Sequence, residues 1–213
     1  MSLTDSQRMQ TLLFDLPDEE RGRVVHFYEL LAAENLKQNL TRLISPEDFK
    51  SGHLVDVLEL LKTGWIDYPV VDLGSGCGVP GLLAAVIAPG DWTLVESEKR
   101  KADFLQRAVD ELSLHAQVQV RAERLEGYLK NHTTHSIVAR AVGTVEKIYS
   151  WISKCSTWNT LILLKGPSWD EEWNQFENSR YRGKLRILGI HSYHIAESGR
   201  ERKIIKLIRS DRR

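Results

Sequence analysis

Two cysteines, Cys77 and Cys155, are all that the 213 residues carry. They are too few for a disulfide framework or a self-contained zinc site, so no metal is expected and a reducing compartment suits the chain. No apolar run approaches the roughly 20 residues that a membrane span requires. The opening MSLTDSQRMQ has neither a basic n-region nor an apolar h-region, so a cytoplasmic protein without an export signal or membrane contact is expected. Net charge is missing too, since 29 basic side chains balance 29 acidic ones. The 14 glycines follow no collagen-like period, and there is no internal repeat, low-complexity tract or linker. What is present, 42% hydrophobic and 27% charged residues, supplies enough apolar mass for a real core and excludes a largely disordered chain. This length fits one core domain with an appendage.

The balance of charge conceals a gradient. Residues 1–68 carry 7 basic and 12 acidic side chains, residues 69–139 carry 7 and 9, and residues 140–213 carry 15 and 8. The basic C-terminal third is a candidate face for a polyanion, although a charge run is more often plain solvated surface.

Residues 1–68 read as a helical extension and residues 69–213 as the core domain. A segment opening at 17–20 places Val24, Phe27, Tyr28, Leu31 and Leu36 near the 3.6-residue period. Ser45-Pro46-Glu47-Asp48 combines an N-cap, a proline at the first helical position and an acid at N3. Its helix carries Phe49, Leu54, Val57, Leu58 and Leu61 and should stop at Gly64. From Pro69 the rhythm changes. Apolar runs at 70–73, 93–96, 118–121, 136–141 and 161–165 alternate with helical stretches near 82–88, 99–111, 123–129, 145–154 and 171–178. Strands separated by helices imply βαβ units and a parallel sheet covered on both faces. Beyond Asn178, residues 185–195 and 203–209 read as two strands joined through Ser198-Gly199, so the sheet should end in an antiparallel hairpin.

The most informative stretch is VVDLGSGCGVPG at 70–81, an apolar strand running into four glycines and then a helix. Such an arrangement lets a ligand approach bare backbone and the positive end of a helix. Glu96 closes the next strand, where an acid can grip a ribose. A nucleoside-type cofactor site follows from the combination; the bland alternative is a tight turn needed only for packing. Gly76-x-Gly78-x-x-Gly81 literally satisfies the dinucleotide pattern, but here Gly74 ends the strand, Val79 would occupy the third place and Pro80 stiffens the start of the helix. Asp72 sets a negative charge where a sulfonium or an amino group is a better neighbour than a pyrophosphate. Asp72-x-Gly74-x-Gly76-x-Gly78 resembles the first motif of class I S-adenosylmethionine-dependent methyltransferases, whose Rossmann-like, mostly parallel seven-stranded sheet ends in the same kind of hairpin.

Further pieces narrow the resemblance: Asn39-Leu40-Thr41, His53-Leu54-x-Asp56, Ser97 with Arg100-Lys101 and Phe104-Leu105, Arg121-Ala122-Glu123, Ala139-Arg140-Ala141-Val142 and Lys165-Gly166. In this order and spacing, from about Asn39 to the C-terminus, the chain resembles the bacterial RsmG (GidB) family, which methylates N7 of a guanine in the decoding region of 16S ribosomal RNA. The resemblance implies S-adenosylmethionine as cofactor, S-adenosylhomocysteine as product, and 16S RNA or the small ribosomal subunit as partner of a monomeric enzyme. It implies that Gly74, Gly76 and Val79, in one loop with Asp72 and Gly78, line the cofactor, and that Glu96 takes the ribose hydroxyls. Ala122 and Glu123 would border the adenine, and Arg140 would be the catalytic group beside the methyl. The departures are Cys77 where alanine or proline is usual, Val79 where a larger apolar residue is usual, and Val57 where serine often follows the aspartate.

Guanine N7 is a lone-pair nucleophile, so its methylation needs alignment and no general base. Ala139-Arg140-Ala141-Val142 stands where exocyclic-amine methylases present an Asn/Asp-Pro-Pro-aromatic turn, and neither cysteine lies in the Pro-Cys dipeptide of a cytosine-C5 nucleophile. Each remaining candidate has a structural alternative. Arg140 can pair with phosphate, with the methionine carboxylate or with Glu123, or make a structural ion pair. Lys165 can contact RNA or cap the sheet, and Asn39 and His53 can serve the site or the core. Arg200, Arg202 and Lys203 are candidate phosphate contacts. Trp151, Trp158, Trp169 and Trp173 read mainly as core. The competing functions are a methyltransferase of the same fold with a different RNA or small-molecule substrate, a non-enzymatic RNA-binding module and, at a distance, a dinucleotide oxidoreductase.

Overall fold

The computed structural model describes residues 3–196 and 198–210; residues 1–2 and 211–213, which the expected domain bounds include, lie outside them. Strand β1 (Val70–Leu73) is buried at every position, as befits a central strand covered on both faces. Strands β2 (Trp92–Val95), β3 (Val118–Arg121), β4 (Ser136–Arg140) and β5 (Thr160–Lys165) run parallel to it. Strand β7 (Glu201–Arg209) is antiparallel to β5 and to β6 (Leu185–His194), giving a seven-stranded sheet in the order β3-β2-β1-β4-β5-β7-β6. The final hairpin is therefore present, with a bulge between Ile187 and Gly189. Strand order reverses between β1 and β4, so the loops at their C-terminal ends diverge and leave a crevice, the usual ligand position in open α/β sheets.

One face of the sheet carries α5 (Gly81–Ile87) and α6 (Lys99–Glu111), with α1 (Asp5–Leu12), α2 (Asp18–Gln38), α3 (Pro46–Phe49) and α4 (Val55–Lys62) laid over them. The other face carries α7 (Leu125–Asn131), α8 (Val145–Ile152) and α9 (Trp169–Glu177). Met9, Phe27 and Phe49 of the N-terminal helices bury in the same cluster as Leu82, Trp92 and Leu94, so residues 3–68 share a core with the sheet. Helix α1 is capped by a reciprocal Thr4–Gln7 box, a short-range signal that the apolar period did not reveal. Leu36, expected on the apolar stripe of α2, is 89% exposed. The buried position one helical turn after Leu31 falls instead on Glu34, whose carboxylate is held by Arg107 at 3.0 Å and Lys37 at 3.3 Å.

The helix opening at Ser45 ends at Gly64 in the left-handed conformation, φ 62°, as expected. It is not uniform. Between α3 and α4, Lys50–Leu54 form a π-helical turn, and the Val55 N–H donates to the Lys50 carbonyl. Trp158 and Trp169 are fully buried, and Trp173 stacks 5.6 Å from Trp169, which makes these three core residues.

Candidate active site

The glycine loop turns sharply because Gly74, Gly76 and Gly78 all adopt positive φ, at 68°, 51° and 88°. A Cβ on Gly81 would lie 2.6 Å from the Asp72 Cβ, so it is Gly81, and not position 79, that lets helix α5 sit directly on β1. Asp72 itself is fully buried beneath the loop, where Oδ2 accepts the Gly81 N–H at 3.0 Å and burial raises its carboxyl to about 6. It organises the turn and lines neither of the cavities at Gly74. Gly78 is likewise packed on Phe27.

Glu96 accepts the Gly76 N–H at 3.0 Å through Oε2 and the Glu98 N–H at 2.8 Å through Oε1. Each oxygen retains a further lone pair, although the side chain is buried and lines neither cavity at the loop. Two cavities meet at Gly74. The smaller, about 70 Å³, lies between Glu123, Val142 and Trp151. The larger, about 510 Å³, extends from Gly74–Cys77 and Val79 to Thr41, His53 and Arg140. Bare backbone, a fixed acid and an apolar slot fit a nucleoside cofactor. Glu123 borders the smaller cavity and Val79 the larger; Ala122 is exposed and borders neither, and the smaller one is bounded there by Arg124, Leu125 and Trp151. Cys77 lines the larger cavity with its thiol pushed up by burial, and both cysteines are free.

Arg140, at the end of β4, forms the far wall of the larger cavity. It does not reach Glu123. Its Nη1 donates to the Gly52 carbonyl and to Asp56 Oδ2, each at 2.7 Å, and its Nη2 donates to His53 Nδ1. A guanidinium can only donate, so Nδ1 of His53 is an acceptor and its proton sits on Nε2, which donates to Thr41 Oγ1 at 3.1 Å. Burial, with the charges of Arg140 and Arg202 next to the ring, pushes His53 down to about 3. His53 is thus a neutral imidazole with both nitrogens engaged. The π turn presents the Gly52 carbonyl and His53 to Arg140, and the first turn of α4 adds Asp56, in keeping with the placement of such turns at functional sites.

Beyond Arg140 opens a third cavity of about 410 Å³, lined by Asp56, Lys165, Tyr193, Arg200, Glu201 and Arg202 among others. Lys165 donates to the Gly143 carbonyl and to Glu172, each at 2.7 Å, so it ties two loops together while bordering the cavity. Arg202 is bonded to Asp56, and Arg200 is exposed at the rim. Lys203 is paired opposite Lys165 across β5 and β7 and reaches Asp170 on the α9 side at 2.8 Å, away from Arg202. Asn39 is the left-handed C-cap of α2, φ 51°, and lines neither this cavity nor the larger one, whereas the neighbouring Thr41 lines the larger one. Asp56, Tyr193 and Glu172 are members that sequence reasoning left without a role. The one-turn spacing His53-x-x-Asp56 was the available signal for the first of them. Among the described residues no group of three or more His, Cys, Asp or Glu side chains is placed to hold a metal, and no helix is long and apolar enough to cross a membrane.

A strand order with an inserted antiparallel β7, a glycine loop after β1 and a locked carboxylate after β2 define a class I S-adenosylmethionine-dependent methyltransferase. Solved structures share this fold: one of M. capricolum TrmK in complex with S-adenosyl-homocysteine, TM-score 0.54 at 11% identity over 71% of this chain and 67% of that one, and one of a mutant of MtNAS in complex with S-adenosylmethionine, TM-score 0.58 at 14% identity over 94% and 82%. The chain belongs to the rRNA small subunit methyltransferase G (GidB) family, whose model matches residues 21–204. Proteins named ribosomal RNA small subunit methyltransferase G from Mesoplasma florum and Rhodopirellula baltica are 32% and 36% identical, over 86% and 80% of this chain and 79% and 73% of theirs. It is an enzyme that methylates small-subunit ribosomal RNA with S-adenosylmethionine as donor.

Proposed function

We propose that the methylated atom is N7 of a guanine in the decoding region of 16S ribosomal RNA, and that transfer is direct, in line and without a general base, in a cytoplasmic monomer. The observation that carries this reading is the bonding of His53. It is the histidine at the wall between the cavities, and neither nitrogen is free to accept a proton. Asp56 is committed to two arginines and Tyr193, and the Cys77 thiol is raised, which disfavours its thiolate. A nucleophile that must first lose a proton finds no free acceptor in His53, Asp56 or Cys77, whereas N7 brings a lone pair of its own.

The donor supplies an electrophilic methyl on a cationic sulfur. Glu96 binds the ribose hydroxyls, and Gly74 and Gly76 give the loop its bare backbone. Glu123, Val142 and Trp151 bound the adenine slot, and residues 41–43 with Arg140 close the methionine end. Arg200, Arg202 and Lys165 receive RNA phosphate on the other side of Arg140, while Glu201, in the same cavity lining, offsets the positive charge that the guanine acquires. Residues 1–68 act as an extension of the core domain, contributing Thr41, His53 and Asp56 to its site. The test is transfer of labelled methyl to small subunits from a strain lacking this activity, with the modified base mapped and the single-turnover rate followed from about pH 6.5 to 9. A flat profile and a label on guanine N7 are expected; a log-linear rise with pH, or label on another atom, overturns the assignment.

A further inference from the structure

Asp56 is 1% exposed, yet three groups from distant parts of the chain converge on its carboxylate. Tyr193 donates its hydroxyl to Oδ1 at 2.7 Å, and Arg140 and Arg202 both donate to Oδ2. Two guanidinium cations thus share one carboxylate oxygen, and the cluster keeps a surplus positive charge. Both arginines and Asp56 border the third cavity, and Arg140 also borders the larger one, so the cluster stands at the partition between the two cavities. Arg140 has no freedom left, because Gly52, His53 and Asp56 take up both ends of its fork. Arg202 keeps a partly exposed side chain, at 27%, turned to the cavity.

We infer that Asp56 is the positioning residue for methyl transfer: it draws two mutually repelling arginines to one side of the partition and thereby sets where the target nucleotide stops relative to the methyl. This rests on the proposed seating of RNA in the third cavity. Asp56 acts through the two arginines and Tyr193 that it holds, not on the reacting atoms. Its effect is one of geometry, and small displacements of aligned reactants cost large factors in rate. The inference has a signature that simple destabilisation lacks. With Asp56 neutralised, Arg202 swings away from Arg140 toward solvent, where it remains available to phosphate. RNA binding should therefore hold or tighten while the chemical step fails.

In Asp56→Asn, with both reactants saturating, the single-turnover rate on small subunits should fall at least about 30-fold. RNA affinity at low salt should be undiminished, and the logarithmic salt dependence should steepen by about one released counterion. The double variant Asp56→Asn with Arg202→Gln restores the charge balance and guards against a single variant that does not fold. It should regain thermal stability but stay slow. Tyr193→Phe, which removes one bond and no charge, should slow transfer about three- to tenfold at unchanged RNA affinity. A single variant within threefold of the parent rate, or a double variant that recovers rate along with stability, overturns the inference, as does parent-like transfer by Tyr193→Phe if Asp56→Asn does not fold. The readout is total methyl transferred, so an error in the guanine N7 assignment would show in base mapping and leave this test intact.

Discussion

The two sides of the crevice are built by different means. The glycine-loop side, where the cofactor is proposed to bind, takes its shape from backbone within residues 74–98: three left-handed glycines, and two N–H groups that lock one carboxylate. The opposite side, where RNA is proposed to sit, is made from side chains that meet across 84, 137 and 146 residues of chain to form one buried ion cluster. A backbone-built site depends on local turn geometry and tolerates change around it. A site built from distant charges exists only when the whole fold is complete, and the loss of one partner exposes the others to uncompensated burial.

The sharpest way to break this contrast is Arg140→Ala. Removing one partner of a buried ion pair typically costs about 3–5 kcal/mol, and here it also leaves His53 Nδ1 without its donor. Denaturant midpoints should shift accordingly and methyl transfer should fall by a factor on the order of 100 or more; a loss below about 1 kcal/mol would mean the cluster is no more than a surface pair. On the cofactor side, Glu96→Ala should weaken S-adenosylmethionine binding by about 1.5–3 kcal/mol with the fold intact, and calorimetry showing unchanged affinity would remove Glu96 from the site. Gly81→Ala tests the backbone itself. Its Cβ would lie 2.6 Å from the Asp72 Cβ and 2.7 Å from Leu94 Cδ2, so about 1–3 kcal/mol of stability should be lost by overpacking, with RNA affinity unchanged.

Acid titration separates the two sides by sign. Burial raises Asp72 from 3.8 to about 6, so the native state holds a proton that the unfolded chain has released. The stabilisation from this group is fully present below pH 3.8 and is lost as pH rises through about 6. His53 behaves oppositely. Held near 3 against 6.5 when unfolded, it contributes stability above pH 6.5 that is lost as pH falls toward 3. Asp72→Asn should therefore steepen the loss of stability between pH 6 and 4, and His53→Gln should flatten it, each by at most about 1.4 kcal/mol per pH unit. Identical acid limbs in the two variants would sink this account. The smallest effect belongs to Lys203→Gln. Lys203 is already paired with Asp170, so RNA affinity should change less than about twofold, whereas Arg200→Gln with Arg202→Gln should flatten the salt dependence.

The same division explains what could be read from the residues alone. The strand, glycine loop and Glu96 lie within 27 residues of one another, and turn chemistry fixes their relation locally. Element positions along the core were legible to within a few residues for the same reason: apolar period and glycine punctuation are short-range signals. Arg140 was legible as a site residue but not its partner, because nothing in a one-dimensional period says that Asp56 and not Glu123 lies across from it. Lys203 and Arg202 look alike as a basic pair, and only the alternation of β7 sends one to the ion cluster and the other to α9. The glutamate that replaces Leu36 in the core of α2 is likewise visible only once α6 supplies Arg107.

The π turn at Lys50–Leu54 acts as a phase shifter. An α-helix advances about 100° per residue, so one surplus residue rotates everything after it by that angle relative to everything before. Upstream, the angle is dictated by Phe49, wedged 6.1 Å from Phe27 and 5.2 Å from Tyr28. Downstream, it is dictated by Asp56, which must face two arginines delivered by β4 and β7. A regular rod through the same stretch could satisfy the aromatic core or the ion cluster but not both, and the inserted residue removes the need to choose.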